Sequence, residues 1–513
     1  MSSAELAPTS AAKPIDASDP DLKNETHSAR CRLMAQSGDI QGHENFPVGC
    51  RWAPDGTCVL TTTASDGKFR LYDTPFHLLS SANGDVTSSG QIDGSNEQDI
   101  DKSPSIHDTI LNGENDTGEA TCHSLSDNVC TNSVNEWNAS LTSHQGGPPP
   151  PSGSSSYTFY PLFNSSSPQS ALYATCRGHS LPIHLIDAYT SALRASYRPY
   201  NNVDELEGPT VVEFSPDGSR IYGTGFKSDR TIAVFDTSIP GREGQILRLG
   251  KTRRSADGQK GIPSAIAFPK CSAGIGPSNV FAIGAYSPSS IYIYDDRAGS
   301  CPTGTIVLHG GLTVVGHGKA FSRKKRRFAT ITDTGDKAEQ EENWFSTARV
   351  NWFQTQARGG VTQLMWAPPA SSNPYVLYSA SRRSNAVLSW DVRMLSCDKR
   401  NTYPICGLKS YARDGDTNQR IGFDINDDGT KLFTGSKDGF LKLYDTSSSS
   451  LEYELEIEEN RFKDAVNGVS FMNVGSRQLL AVSLGSRHFV DHSEEEVAES
   501  IPLFHGSLQL YSV

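Results

Sequence analysis

The chain has 513 residues, ten cysteines and a formal net charge of −12 at pH 7. No apolar run is long enough to span a bilayer, and Met1–Asp21 is polar and acidic, unlike a signal peptide, so we expect a soluble, intracellular protein without a membrane anchor. The cysteines are irregularly spaced, without a CxxC pair or histidine partners, which favours buried reduced thiols and argues against a disulfide framework, a zinc site or another cofactor.

The negative charge is not spread evenly along the chain. Acidic residues are concentrated in residues 1–45, 76–156 and 490–500, and the rest of the chain has an excess of lysine and arginine. The overall charge therefore does not exclude a polyanionic ligand on the remaining surface.

The chain opens with residues 1–30, whose Ala-, Ser- and Asp-rich composition predicts a disordered tail. Arg32–Gln36 is the first run that could form a strand.

The first repeat signals follow: Trp52-Ala53-Pro54-Asp55-Gly56 contains an Asp-Gly turn after a short apolar run, and Tyr72-Asp73 ends another run. Because Asp-Gly supplies the positive φ of a tight hairpin turn, this segment predicts an antiparallel meander.

Residues 76–156 separate this meander from the next. They are poor in apolar residues, rich in Ser, Asn, Asp and Gly, and end near Pro148–Pro151. This composition predicts a disordered acidic insertion.

The same order of signals then recurs. Apolar runs end in an aromatic or aliphatic residue followed by Asp at Ile186-Asp187, Phe235-Asp236, Tyr294-Asp295 and Trp390-Asp391. Hairpin signatures such as Phe214-Ser215-Pro216-Asp217-Gly218 precede most of them. We therefore predict repeats over residues 157–187, 211–237, 264–296 and 361–392.

Residues 312–357 interrupt the series with a different composition. They contain a basic cluster, Arg323–Arg327, and then Trp344 and Trp352, with no repeat signature. One interpretation is a nuclear-localisation signal on an exposed loop. The other is a retained intron translated in the gene model, which the exposed aromatic residues favour. Either interpretation predicts a poorly ordered insertion that the fold does not need.

The clearest repeat covers residues 418–446. Three runs of alternating apolar and polar residues are separated by Asp428-Gly429 and Asp438-Gly439, and the third run ends at Tyr444-Asp445. This is the position of the Trp-Asp dipeptide in WD40 repeats.

The last repeat, residues 469–513, carries an acidic loop at 490–503 and reaches Tyr511-Ser512 on a third strand. Its missing fourth strand is expected to be Arg32–Gln36. Seven such meanders bury their faces only against one another, which predicts an all-β, seven-bladed WD40 β-propeller over residues 31–513. An open β-sandwich does not explain a repeating unit with a fixed internal order.

No set of residues assembles a nucleophile, a base and an orienting group, so we expect a binding protein and not an enzyme.

In a propeller, the loops between second and third strands and the connections between blades open on one face. We predict that nine residues of these loops contact RNA: Arg177, Arg198, Tyr200, Lys227, Arg230, Arg382, Arg383, Arg420 and Arg487. Arginine forks hold phosphates or base edges, and tyrosine stacks on unpaired bases. The same composition suits an acidic protein partner, and a single charged loop residue is more often solvated than functional.

Several runs in the chain are not general WD40 features, RASYRPYN at residues 194–201 and TNQRI at 417–421 among them. With Cys50–Gly56, Pro182–Ala188, Asp204–Leu206, Phe214–Gly218, Pro240–Arg242, Ser389–Arg393 and Asn467–Ser470, they make the sequence resemble the telomerase Cajal body protein family of WD40 proteins. The tail and residues 76–156 do not take part in this resemblance.

The resemblance implies an RNA-binding scaffold that recognises the Cajal-body box of H/ACA-type small RNAs, including telomerase RNA, and directs these ribonucleoproteins to Cajal bodies and telomeres. It further implies partners among the telomerase and H/ACA ribonucleoprotein proteins, folding by the cytosolic chaperonin, a monomeric state, and a nuclear location at Cajal bodies with a cytoplasmic pool. The alternative from another functional class is a protein-only WD40 adaptor, for example in a ubiquitin ligase or chromatin complex.

Overall fold

A computed structural model describes most of the predicted repeats. The described residues are 31–38, 40, 45–79, 135–143, 156–227, 230–249, 259, 261–270, 279–286, 289–298, 303–307, 359–394, 407–456, 464–487 and 506–513. The predictions for residues 1–30, 312–357 and 490–503 lie outside this set and remain predictions.

The described part contains 29 strands and one short α-helix. In chain order the elements are β1 (Arg32–Gln36), β2 (Pro47–Trp52), β3 (Cys58–Thr63), β4 (Phe69–Asp73), α1 (Phe76–Leu79), β5 (Asn135–Glu136), β6 (Leu141–Thr142), β7 (Ser156–Phe159), β8 (Leu172–Cys176), β9 (Ile183–Asp187), β10 (Leu193–Tyr197), β11 (Val211–Phe214), β12 (Arg220–Thr224), β13 (Thr231–Asp236), β14 (Gly244–Arg248), β15 (Pro263–Ala267), β16 (Val280–Ala285), β17 (Ser290–Asp295), β18 (Gly304–Val307), β19 (Val361–Trp366), β20 (Val376–Ser381), β21 (Ala386–Asp391), β22 (Gly407–Ala412), β23 (Phe423–Ile425), β24 (Lys431–Thr434), β25 (Phe440–Asp445), β26 (Leu451–Glu456), β27 (Val466–Val474), β28 (Arg477–Leu484) and β29 (Ser507–Ser512). Two 3₁₀ turns, Asp296–Ala298 and Val392–Met394, follow β17 and β21.

These strands form seven sheets, which confirms the predicted seven-bladed propeller. Six sheets have four strands, and the seventh has five in the order β27-β28-β29-β1-β5. We call the strands of each blade a to d from the channel outward. The residue-Asp pairs of blades one to six lie at the end of strand c, as predicted. The Asp-Gly turns also form: Gly56, Gly218 and Gly429 have φ of 72°, 72° and 74°, a backbone conformation that favours glycine.

Among the described residues, the hydrophobic core is divided into seven clusters, each shared by two neighbouring blades. One cluster packs Ile291 of blade four against Leu377 and Trp390 of blade five, and another packs Phe433 of blade six against Phe471 of blade seven with ring centroids 5.2 Å apart. The remaining five clusters join the other adjacent pairs. No blade therefore buries its apolar faces by itself.

Polar side chains join the inner strands of adjacent blades. Gln363 of β19 donates to the Phe423 carbonyl of β23 at 2.7 Å and accepts from its N–H at 3.1 Å. Ser264 of β15 donates to the Val361 carbonyl at 2.6 Å. Similar contacts join four further pairs of inner strands, through Arg51 to Thr158, Ser156 to Val212, Asp424 to Phe471, and Ser470 to Trp52. These bonds satisfy polar groups at the inner edges of the blades and fix the spacing of the ring.

The ring closes through β1, as predicted. β1 pairs antiparallel with β29, with Leu33 opposite Tyr511 and Gln36 opposite Gln509. The pairing continues past the strand, because the Ser37 N–H donates to the Leu508 carbonyl at 2.8 Å. Strand d of the last blade thus comes from the segment that precedes blade one.

The prediction that residues 76–156 form a disordered insertion is wrong for residues 76–79, which form α1, for Ser156 at the start of β7, and for residues 135–143. Residues 80–134 and 144–155 lie outside the described set. Leu141–Thr142 forms strand d of blade one beside β4, and Asn135–Glu136 pairs parallel with β1. Between them, the Trp137 ring lies 5.2 Å from the Tyr72 ring, and its indole N–H donates to the Asp73 carbonyl at 2.7 Å. Trp137 is only 4% exposed, so this short segment joins blade one to blade seven.

Deletion of β1 tests the closure. Removing residues 1–28 should leave the melting temperature unchanged, whereas removing 1–40 exposes the edge of β29 and should lower it by at least about 5 °C. Thermal unfolding followed by circular dichroism measures both. Identical melting curves would show that β1 does not hold the ring closed.

Trp137 provides a second test. Trp137→Ala removes a buried ring and an indole hydrogen bond, so it should lower the free energy of unfolding by about 3–5 kcal/mol. Asn138→Ala, at an exposed neighbouring position, is the control. Chemical denaturation of the two variants makes the comparison, and equal values would mean that the segment adds no stability.

Candidate nucleic-acid interface

The nine predicted residues all lie on one face of the propeller. Arg177, Lys227, Arg230, Arg382, Arg383 and Arg487 follow strand b of their blades, and Arg198, Tyr200 and Arg420 lie in connections between blades. Strand b of each blade ends on the side of the propeller where strand c begins, and strand a of the next blade begins on that side as well. The loops between strands b and c and the connections between blades therefore open on the same side. We call this side the bc face.

The structure brings Arg382, Arg383 and Arg420 together. Arg420 is partly buried, and burial together with the positive charge of Arg382 lowers its pKa. Its charge also partly offsets the rise that burial causes in the pKa of the Cys176 thiol of blade two. Arg382 lies over the Tyr286 ring of blade four with its guanidinium carbon 5.5 Å from the centroid.

Arg420 lies in the connection from blade five to blade six, which contacts neighbouring blades. Gln419 donates to the Gly485 carbonyl of blade seven at 2.7 Å. Arg383, at φ 52°, donates through its side chain to Asn418 at 3.0 Å. The TNQRI run is therefore fixed to blades five and seven, which gives Arg420 a defined position.

Arg413, at the start of the same connection, has a structural role. Its side chain is buried, and burial lowers its pKa to about 10. Its guanidinium donates to the carbonyls of Ile421 at 2.9 Å and Ser384 at 3.4 Å. Arg413 therefore holds the connection against blade five and is not available to a ligand.

Arg177 lies apart from the arginine group. It donates to the Gly67 carbonyl of blade one at 2.8 Å and its guanidinium lies 5.9 Å from the Phe69 ring. Burial lowers its pKa. Arg177 thus connects blades one and two, which gives it a structural role.

Four other predicted residues lie further out or alone. Arg198 and Lys227 are exposed, Arg487 is exposed on blade seven, and Arg230 makes a long contact of 3.4 Å with the Gln259 carbonyl. They are distributed around the bc face and do not form one cluster.

Tyr200 is already in contact with a cation that the sequence did not assign to the site. The Arg242 guanidinium lies over its ring at 4.1 Å and forms an ion pair with Asp204. Tyr200 also lines a slot with Phe226 and Ile246. Sequence analysis missed these neighbours because they come from blade three, far from the RASYRPYN run; the PGR run containing Arg242 was the only signal.

Ion pairs occur on both faces, and on the bc face Arg70 pairs with Asp66 and Arg242 with Asp204. On the opposite face, where strand c ends, Arg194 pairs with Asp187, Arg297 with Asp295 and Arg393 with Asp391, at 2.5, 2.8 and 2.6 Å. The last two arginines hold the pKa of their carboxyl partners below the usual value. By contrast, seven predicted cations of the bc face have no carboxylate partner among the described residues: Arg198, Lys227, Arg230, Arg382, Arg383, Arg420 and Arg487.

The described residues offer little for catalysis. They contain no group of three His, Cys, Asp or Glu side chains placed to hold a metal. Burial raises the pKa of the Cys50, Cys58 and Cys176 thiols to about 12, so these three are unreactive. No helix in the described part of the chain is long and apolar enough to cross a bilayer.

Fold and repeats define the chain as a WD40-repeat β-propeller protein, and the family described as "WD domain, G-beta repeat" matches residues 35–73 and 413–445. Along most of its length the sequence is similar to proteins named telomerase Cajal body protein 1. The protein from Bos taurus is 28% identical over 88% of this chain and 61% of its own length. The Homo sapiens protein is 28% identical over 88% of this chain and 59% of its own length. The Drosophila melanogaster homolog is 25% identical over 88% of this chain and 59% of its own length.

These similarities confirm the family resemblance seen in the sequence. The chain spans about three fifths of the length of the curated relatives it matches. The relatives' name refers to telomerase and to the Cajal body, and it states neither a bound RNA nor contact residues.

The free energy of unfolding of two variants can distinguish the structural role of Arg413 from the exposed position of Arg383. Arg413→Ala leaves several buried carbonyls without a donor and should lower the free energy of unfolding by about 2–4 kcal/mol. Arg383→Ala, at an exposed position, should lower it by less than about 1 kcal/mol. Urea denaturation measures both, and a neutral Arg413→Ala would contradict the structural role.

Proposed function

We propose that this chain is an RNA-binding, non-enzymatic scaffold whose bc face recognises the Cajal-body box of H/ACA-type small RNAs, including telomerase RNA, and directs these ribonucleoproteins to Cajal bodies and telomeres. The observation that carries the proposal is the set of bc-face cations that have no carboxylate partner among the described residues. Cations without carboxylate partners are available to an external polyanion, whereas the paired arginines opposite them are already neutralised.

The physical basis is clearest at Arg382 and Arg420. Two neighbouring guanidinium groups repel each other, and partial burial adds a desolvation cost. A phosphate between or beside them would remove the repulsion and supply acceptors for both forks. The rigid TNQRI connection keeps this arrangement in place before a ligand arrives, so little entropy is lost on binding.

The relatives supply the cellular context of the proposal. Their name supports an association with telomerase and a place in the nuclear Cajal body. The partners proposed here are H/ACA small RNAs, telomerase RNA and the proteins of those particles, with the chaperonin acting in folding and a cytoplasmic pool preceding nuclear import.

Charge removal at the arginine pair tests the proposal. The double variant Arg382→Ala/Arg420→Ala should weaken binding to H/ACA RNA hairpins and reduce the slope of log K against log salt by about 1.4, because each phosphate contact on a single strand contributes about 0.7. Filter binding across a salt series measures both quantities.

Arg297→Ala/Arg393→Ala is the matched control, because it removes the same charge from the opposite face. Its affinity and salt slope should stay near those of the wild type, and melting temperatures verify that both variants fold. Equal losses in the two variants would mean that net charge alone drives binding. Wild-type protein that binds no RNA but retains a protein complex after nuclease treatment would support the adaptor function instead.

A further inference from the structure

An exposed tyrosine lies at the bc face beside the arginine pair. Tyr286 directly follows β16, strand b of blade four, and is 48% exposed. It belongs to none of the seven apolar clusters that the described residues form, so core packing does not account for an aromatic ring at this position. Single exposed apolar residues are common on protein surfaces, so the neighbours of Tyr286 decide what it can do.

The residue directly after strand b differs from blade to blade. In blades one to seven it is Ala64, Arg177, Gly225, Tyr286, Arg382, Gly435 and Gly485. Four of these residues are glycine or alanine and two are arginine, so Tyr286 is the one aromatic side chain at this position. It therefore adds a stacking surface where the other blades have a small residue or a cation.

Two glycines in the connection from blade four to blade five let Tyr286 and Arg382 approach each other. A Cβ atom on Gly360 would lie 2.4 Å from Cδ2 of Tyr286, and one on Gly359 would lie 2.4 Å from the Arg382 carbonyl oxygen. Any larger residue at either position would displace these neighbours. The Arg382 N–H donates to the Gly360 carbonyl at 2.9 Å. The Tyr286 N–H donates to the Ile262 carbonyl at 2.8 Å, so hydrogen bonds fix both backbones.

The Arg382 guanidinium lies over the Tyr286 ring without covering it completely. The guanidinium carbon is 5.5 Å from the ring centroid, within the cation–π range of about 6 Å. Because Tyr286 nevertheless remains about half exposed, part of the ring surface is open to a second flat group. A nucleobase is such a group, and every base has a π-face that can stack on an aromatic side chain.

A similar tyrosine–arginine pair on the opposite face provides a comparison. Tyr375 is 52% exposed, and the Arg393 guanidinium carbon lies 5.1 Å from its ring centroid. Arg393, however, donates to both carboxylate oxygens of Asp391, at 3.0 and 2.6 Å. Arg382 has no carboxylate partner among the described residues, and burial and the charge of Arg382 lower the pKa of neighbouring Arg420. Of the two pairs, the one on the bc face thus combines a stacking surface with cations available to phosphate.

We propose that Tyr286 stacks on one unpaired base of a bound RNA, while Arg382 and Arg420 contact the adjoining phosphates. The inference rests on the proposed RNA-binding function and assigns a base contact to a residue outside the nine predicted ones. A base and its phosphate are joined through one sugar, so a ring directly beside two guanidinium groups can contact both parts of the same strand. The ring face reads no hydrogen-bonding pattern, so Tyr286 accepts any base, and purines stack best because they present the larger surface.

Fluorescence anisotropy with two labelled strands of equal length and charge tests the role of the ring. One is a short oligoadenosine, and the other is the same ribose–phosphate chain without bases. Tyr286→Leu should weaken binding of the oligoadenosine about tenfold, because stacking on an aromatic side chain contributes at that scale for each base, and should leave the abasic strand unaffected. Tyr286→Phe, which keeps the ring, should bind both strands like the wild type. Tyr375→Leu, at the matched pair on the opposite face, is the control and should also do so.

Two further measurements separate stacking from charge and from structural damage. Tyr286→Leu removes no cation, so its slope of log K against log salt and its melting temperature should equal those of the wild type, whereas Arg382→Ala/Arg420→Ala should weaken both strands and reduce the slope. An oligoadenosine with one central 5-iodouridine, which photocrosslinks to aromatic side chains that it contacts, should become attached to Tyr286. Mass spectrometry of the digested complex identifies the attached residue.

The outcomes distinguish the two proposals. If Tyr286→Leu binds both strands like the wild type, or if the crosslink lies only on other residues, the stacking role is overturned and the RNA-binding face remains. The same conclusion follows if the wild type binds H/ACA hairpins but does not distinguish the two strands. An equal loss for both strands in Tyr286→Leu would mean that the ring only positions Arg382, which also overturns stacking. If the wild type binds neither strand and no H/ACA hairpin, both proposals are overturned.

Discussion

Every apolar cluster in the described part of this protein is shared by two blades, and this constraint governs the rest of the structure. A single blade has two apolar faces and no layer of its own to cover them. Stability therefore requires neighbours on both sides, and only a closed ring provides a neighbour for every blade. The hydrogen bonds between inner strands follow from the same requirement, because close approach of the blades would otherwise bury polar edges without partners.

The candidate site inherits its rigidity from this ring. The loops of the bc face connect strands that are packed on both faces, so the ends of these loops are held in place. The connection from blade five to blade six is held by hydrogen bonds from Gln419 to blade seven and from the buried Arg413 to Ile421, and these bonds fix the position of Arg420.

The blades and the closure could be predicted because their signals are local. An Asp-Gly turn, a period of two and a residue-Asp pair each lie within a few residues, and the absence of a fourth strand after Tyr511 pointed to Arg32–Gln36. Residues 135–143 were missed because two-residue strands have no period, and the burial of Trp137 depends on Tyr72 from another segment. Arg413 and Arg420 are the same residue type in one connection, and only tertiary contacts distinguish the buried, structural Arg413 from Arg420, which we propose as a ligand contact. The slot beside Tyr200 is lined by residues from four separate segments, so no local sequence pattern predicts it.

The pairing of β1 with β29 also sets the order of events during synthesis. Ser37 and Leu508, which bond to each other, are 471 positions apart. At about 5–20 residues per second, β1 leaves the ribosome on the order of half a minute to a minute and a half before its partner exists. During that interval blade one has only one neighbour, and the edge that β29 will cover is open to other strands. The contact that completes the native ring is therefore the one of highest contact order, which makes folding slow and gives the nascent chain a specific need for protection from aggregation until the last blade is made.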